Sequence, residues 1–178
     1  MRRLVDADRV RQLMRALGSI ARAESRVYLT GGTSAVLLDW RASTIDVDMK
    51  IEPERDEVLR AIPELKERLE VNVELASPGD FIPELPRWRD RSMFITREGN
   101  LFFYHYDFYA QALSKIERRH SRDIDDVMQM HRLELVEPRR LRDFFEAIAP
   151  ELHRYPAIDP RSFRRAVDEI AQRMEQSP

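Results

Sequence analysis

The sequence predicts an α+β fold: an α/β N-terminal half built on a mixed sheet flanked by helices, followed by a helical C-terminal part. Three observations predict it. Segments of period-two and helical spacing alternate over residues 26–75, and after residue 107 the apolar spacing becomes helical throughout. A length of 178 residues with 43% hydrophobic content supplies a real core, in one domain or one domain with a helical extension. The expected division is a core over 1–106 and helices over 107–178 packed on it.

The elements follow in order. Residues 6–24 read as a helix, with Asp6 as cap and Val10, Leu13, Met14, Leu17, Ile20 and Ala21 on one face. Arg26-Val-Tyr-Leu-Thr30 is a short β-rich run ending in Gly31-Gly32, as a buried strand does before a tight turn. A short helix is expected over 33–39, then a strand over 45–51, where Ile45, Val47, Met49 and Ile51 alternate with Asp46, Asp48 and Lys50. Pro53 and its acidic neighbours open a helix over 54–69, with Val58, Leu59, Ile62, Leu65 and Leu69 inward. Residues 71–75 alternate again. Residues 76–90, with Pro78, Gly79, Pro83 and Pro86, read as a loop. A hairpin is expected at 92–97 and 101–106 around Glu98-Gly99-Asn100. Four helices complete the chain, at 107–119, 122–133, 138–149 and 160–175, with Pro138 and Pro160 in first turns and Asp159 as a cap.

Composition excludes several classes. There is no run of about 18 apolar residues, so no membrane span is expected. The opening Met1-Arg-Arg-Leu-Val-Asp6 lacks a signal peptide's apolar segment, and the cytoplasm is the expected location. Cysteine is absent, which removes disulfides, zinc–thiolate sites and cysteine nucleophiles together. Thirty basic against 32 acidic residues give a net charge of −2, unlike a nucleic-acid coat protein. Only Lys50, Lys66 and Lys115 are lysines; arginine suits bidentate phosphate contacts, though a coding bias explains the excess as simply.

The chemistry concentrates in Tyr28–Lys50. Gly31-Gly32 follows a strand and precedes a helix, so the backbone can turn sharply and a phosphate can approach it; the helix start adds N–H groups, and Thr33 and Ser34 add hydroxyls. Asp46 and Asp48, two apart on a strand, project from one face. Adjacent carboxylates repel, and a divalent oxygen-seeking cation such as Mg²⁺ offsets this. Lys50 shares their face and can meet a polyphosphate. Taken singly, a Gly-Gly turn is most often just a turn, and Asp-x-Asp a solvated face. In combination they supply what metal-dependent nucleotidyl transfer needs: one element that grips a triphosphate and another that holds metal.

Gly31-Gly32-Thr33-Ser34 … Asp46-x-Asp48 resembles the signature of the DNA polymerase β-like nucleotidyltransferases. The likeness is nearest to the minimal bacterial and archaeal enzymes, including the AbiEii-like toxins of type IV toxin–antitoxin systems. A second similar stretch runs from Lys115 through Arg122-Asp123 to Asp126, so the resemblance spans about residues 28–127. It implies metal ligation (Mg²⁺, or Mn²⁺) by Asp46 and Asp48, triphosphate contacts at Gly32 and Ser34, and nucleotide positioning by Lys115 with Asp123 or Asp126. A third carboxylate usually comes from a neighbouring strand. Glu74 is the candidate, a glutamate where aspartate is usual, with Asp80 and Asp107 in reserve; a solvent-facing residue is the alternative.

The expected activity moves a nucleotidyl group from an NTP to a hydroxyl acceptor and releases pyrophosphate. Gly31, Gly32, Thr33 and Ser34 would hold the β/γ-phosphates, and Lys50, Lys115 and Arg122 would balance charge. The toxin resemblance implies an RNA 3′ end, such as tRNA, as acceptor, and an antitoxin protein as partner. Arg87, Arg89 and Arg91 form a local basic cluster suited to RNA backbone, or merely a solvated loop. The alternatives are a catalytically inactive module that senses nucleotide or binds a toxin–antitoxin partner, and a small-molecule modifier. The aromatic run Phe102–Tyr109 offers base stacking or, more simply, core packing. The four histidines lack metal-ligand spacing, and no Walker lysine follows Gly31-Gly32.

Overall fold

The computed structural model describes residues 3–177, which fall into two compact units. The first comprises Met1–Ser77 with Ser92–Tyr106, the second Pro78–Arg91 with Asp107–Pro178.

In the first unit, helix α1 covers Ala7–Ile20, and its Asp6 cap accepts the Arg9 N–H at 2.9 Å. It ends short of the expected residue 24, because the chain turns extended at Ala21 to enter strand β1, Ser25–Thr30. Helix α2 is Gly32–Leu37, strand β2 Asp46–Glu52, helix α3 Asp56–Leu69 and strand β3 Asn72–Glu74. Strands β4, Met93–Glu98, and β5, Leu101–His105, form the hairpin. The five strands make one mixed sheet, ordered β3-β2-β1-β5-β4. Strand β1 runs antiparallel to β2 and parallel to β5, and β2 runs parallel to β3.

The alternation in β2 decides the two faces. Val47, Met49 and Ile51 join Val27, Leu29, Val73, Leu101 and Phe103 in a core closed by Val10, Leu13 and Leu17 of α1 and Val58, Ile62 and Leu65 of α3. Each such side chain contributes roughly 1.5–3 kcal/mol by leaving water. The opposite face carries Asp46, Asp48, Lys50 and Glu52, beside Tyr28 and Thr30 of β1. Two apolar expectations fail at strand ends. Ile45 and Leu75 are 43% and 54% exposed, because β2 begins at Asp46 and β3 stops at Glu74.

In the second unit, Pro78–Asp80 form a 3-10 turn and Trp88–Arg91 a one-turn helix, α4. The expected loop is therefore structured. Its Ile82, Leu85 and Trp88 are buried, and Tyr155 Oη donates to the Gly79 carbonyl at 3.4 Å. These contacts join residues 78–91 to the helical unit. Helices α5, Phe108–Arg118, α6, Ser121–Arg132, α7, Pro138–Ile148, and α8, Pro160–Glu175, follow. Asp107 caps α5 by accepting the Tyr109 N–H, and Asp159 caps α8 by accepting those of Arg161 and Ser162. Phe145 and Phe163 meet edge to face at 4.9 Å, joining α7 to α8. No helix of the described residues is long and apolar enough to cross a membrane.

Candidate active site

The glycine turn and the strand carboxylates come together in the first unit. Thr30, the last residue of β1, is the cross-strand partner of Asp48. Gly31 follows with φ +65° and ψ −135°, a conformation that glycine adopts at little cost. A Cβ at Gly31 would stand 2.9 Å from Asp48 Oδ2, so this carboxylate lies directly against the turn. A Cβ at Gly32 would stand 2.2 Å from Thr44 Oγ1 and 3.5 Å from Arg41 Nη1. Both glycines are thus required by close approach. Arg41, to which sequence spacing gave no role, places a guanidinium beside the turn.

Asp46 and Asp48 are half-buried on one face of β2. Asp46 Oδ1 accepts from Asn72 Nδ2 at 2.5 Å, and the same Nδ2 lies 3.3 Å from Glu74 Oε1. Glu74 is exposed and stands opposite Asp48 in the β2–β3 register. Asn72 therefore ties β3 to Asp46, a link that sequence periodicity did not reveal. Lys50 shares the face and lies 3.6 Å from Glu52 Oε1.

The hydroxyls of the turn differ. Thr33 Oγ1 is buried without a hydrogen-bond partner among the described residues. Ser34 Oγ faces inward: it donates to the Leu29 carbonyl at 3.3 Å and lies 3.0 Å from His105 Nδ1. Burial pushes His105 down to about 4, so its imidazole is neutral at neutral pH. The expected triphosphate contact of the Ser34 hydroxyl therefore competes with two interactions on the packed side.

The donor set suits a hard cation. It consists of carboxylate oxygens without imidazole or thiolate, half-shielded from water, beside a turn where even a methyl group would crowd Asp48. No group of three or more His, Cys, Asp or Glu side chains able to hold a metal ion is assembled among the described residues. Asp46 and Asp48 thus stand as a pair, with Glu74 one strand away.

The second expected cluster lies in the second unit, where it forms a buried network between α5 and α6. Lys115 Nζ lies 2.7 Å from Asp126 Oδ2 and 3.3 Å from Asp123 Oδ1. Arg118 grips Asp123 with two hydrogen bonds, of 3.0 and 2.8 Å. Burial raises the Asp123 carboxyl, but Arg118 and Lys115 outweigh it and hold the group below the ordinary carboxylate range. Arg122 is exposed at the second position of α6.

The reserve and peripheral residues have structural tasks. Asp107 caps α5 and accepts from Arg91 Nη2 at 2.7 Å; Asp80 is exposed at the end of the 3-10 turn. The arginine cluster does not present three open charges. Arg87 pairs with Asp90 at 2.8 Å, Arg89 lies over the Trp88 ring, and Arg91 joins Asp107 and the Phe144 ring. Within the aromatic run, Tyr104 stacks on Tyr28 at 5.4 Å, while Phe103 enters the core.

Comparison with curated proteins and with solved structures gives no match. Residues 5–172 match the family model described as a nucleotidyltransferase of unknown function (DUF6036), and with nearly its whole length covered the chain belongs to this nucleotidyltransferase family.

Proposed function

We propose that the protein transfers a nucleotidyl group from an NTP to a hydroxyl acceptor and releases pyrophosphate. The observation that carries this reading is the approach of Asp48 Oδ2 to Gly31, which puts acidic ligands and the glycine turn side by side. Asp46 and Asp48 would hold a divalent cation, Mg²⁺ or Mn²⁺, with Glu74 as the third carboxylate. When bound, the cation offsets phosphate charge and acidifies the acceptor hydroxyl. The Gly31-Gly32 backbone lets the β- and γ-phosphates approach closely. Arg41 and Lys50 bring positive charge to the turn and to the carboxylate face. The acceptor hydroxyl gives up its proton to solvent as its oxygen bonds to the α-phosphorus, the bond from that phosphorus to the bridging oxygen breaks, and the electron pair leaves with pyrophosphate.

The proposed acceptor is an RNA 3′ end such as that of tRNA, in a toxin-like enzyme of the cytoplasm governed by an antitoxin protein. This part rests on the family resemblance. The experiment supplies Mg²⁺, each labelled NTP and total RNA to the wild type and to an Asp46→Ala/Asp48→Ala variant. Labelled RNA from the wild type alone supports the reading. No product together with no metal-dependent NTP binding overturns it, and binding without turnover favours the nucleotide-sensing module. Growth arrest on expression, relieved by Asp48→Asn, tests the toxin role.

A further inference from the structure

Helix α1 meets the β4–β5 hairpin backbone to backbone at Gly18 and Gly99. A Cβ on Gly18 would stand 2.3 Å from the Glu98 carbonyl oxygen, and one on Gly99 would stand 2.3 Å from the Gly18 carbonyl oxygen. No side chain fits between them there. Beside this contact the helix and the strand leave a wedge between them. Its cavity of about 380 Å³ is lined by Arg11, Met14 and Arg15 of α1, Leu37 of α2, Thr96 of β4 and His105 of β5, among others. Pockets of this size hold small ligands, bound by apolar walls with a few polar anchors.

The wall chemistry selects the ligand. Met14 and Leu37 give an apolar body its contact. Arg15 is exposed and spends its charge on no ion pair among the described residues, while Arg11 pairs with Asp8 at 3.3 Å. Glu98, the one acid of the lining, sits by Gly18. An anion entering beside Arg11 and Arg15 therefore meets guanidinium groups. β4 is also the sheet's edge strand, and its Met93, the cross-strand partner of His105, is 40% exposed, so the mouth carries apolar surface.

We propose that this wedge binds a small amphipathic anion, an apolar body carrying a carboxylate, with Arg15 as the charge anchor. The site is separate from the carboxylate face of β2 and does not rest on the proposed catalysis. The His105–Ser34 contact at 3.0 Å joins its wall to the helix behind the glycine turn, so occupancy bears on that turn.

Calorimetric titration of the full chain with decanoate, and with uncharged decanol as control, tests the proposal. Decanoate should bind with a Kd below about 1 mM, and decanol at least about tenfold more weakly. Arg15→Glu should weaken decanoate at least about tenfold with little change in Tm, since Arg15 is exposed. Thr96 faces the side of Phe103, its cross-strand partner, so Thr96→Phe should fill the wedge and abolish binding. Amide signals of Leu37 and Thr96 should shift in nitrogen-15 spectra. Absence of decanoate binding, or equal binding by wild type and Arg15→Glu, overturns the proposal; Arg15→Glu decides the matter even where Thr96→Phe fails to fold.

Discussion

The carboxylates of β2 and those of α6 stand in unlike surroundings, although each set is a close acidic pair in the sequence. Asp46 and Asp48 are half-buried, and Asp46 accepts from the neutral amide of Asn72. Asp123 and Asp126 are buried, and Lys115 and Arg118 supply their counter-charges. A buried charge must be paired where it sits, so those of α6 fasten two helices together. A half-exposed pair against a glycine turn lies within reach of a ligand from solvent. Within one chain, the depth of burial separates carboxylates that hold structure from carboxylates suited to chemistry.

The largest expected effect breaks the comparison on its chemical side. Asp46→Ala/Asp48→Ala should lower transfer by roughly 100–1000-fold, the scale of losing a main transition-state contact. Its Tm should change little, because both side chains are half-exposed on a strand face. Asp126→Ala should do the reverse. Leaving Lys115 buried with one partner fewer should cost about 3 kcal/mol, or roughly 6–12 °C in Tm. Loss of NTP affinity at an unchanged Tm would instead favour the nucleotide-positioning role expected of Lys115 and Asp126.

The same contrast appears as pH dependence. The folded-state value of His105, about 4, lies below the ordinary 6.5, so the unfolded chain takes up a proton first as pH falls. The folded state then loses stability between pH 6.5 and 4, by up to about 3 kcal/mol. Urea unfolding across this window should show the loss in the wild type and a flatter curve in His105→Gln. Asp123 is lowered too, so its stabilisation is present above the unfolded carboxylate value and is lost only at still lower pH, as the folded group protonates. Gly31→Ala should cost roughly 1–3 kcal/mol from its positive φ and should also crowd Asp48, impairing activity beyond the stability loss. Glu74→Gln is the smallest change: transfer should fall by about tenfold or more, near 1.4 kcal/mol, at an almost constant Tm. A near-wild-type rate would remove Glu74 from the site and turn attention to Asp80.

Much of this was legible along the chain. The alternation from Asp46 to Ile51 fixed which face would carry the acids, because neighbouring strand residues point to opposite sides. Pro138, Pro160, Asp6 and Asp159 marked helix starts through their fixed φ or capping oxygens. Other features depend on long-range contacts. Residues 76–90 read as a loop from their prolines, yet Ile82, Leu85 and Trp88 are buried and residues 78–91 belong to the helical unit. Asn72 and His105 reach the site from elements distant in sequence, so no local spacing could reveal them, and Arg41 lies in the loop between α2 and β2, where no period assigns a direction to its side chain.

By itself the sequence determined what local rules govern: the periods, the caps, the glycine pair and the charge of each residue. Only the tertiary structure decided which charges meet. Asp48 came to rest against Gly31, Ser34 turned toward His105, and Lys115 sank between Asp123 and Asp126. The physical reason is that the pairing and desolvation of a charge depend on neighbours brought in from far along the chain, whereas backbone propensity depends on the few residues beside it.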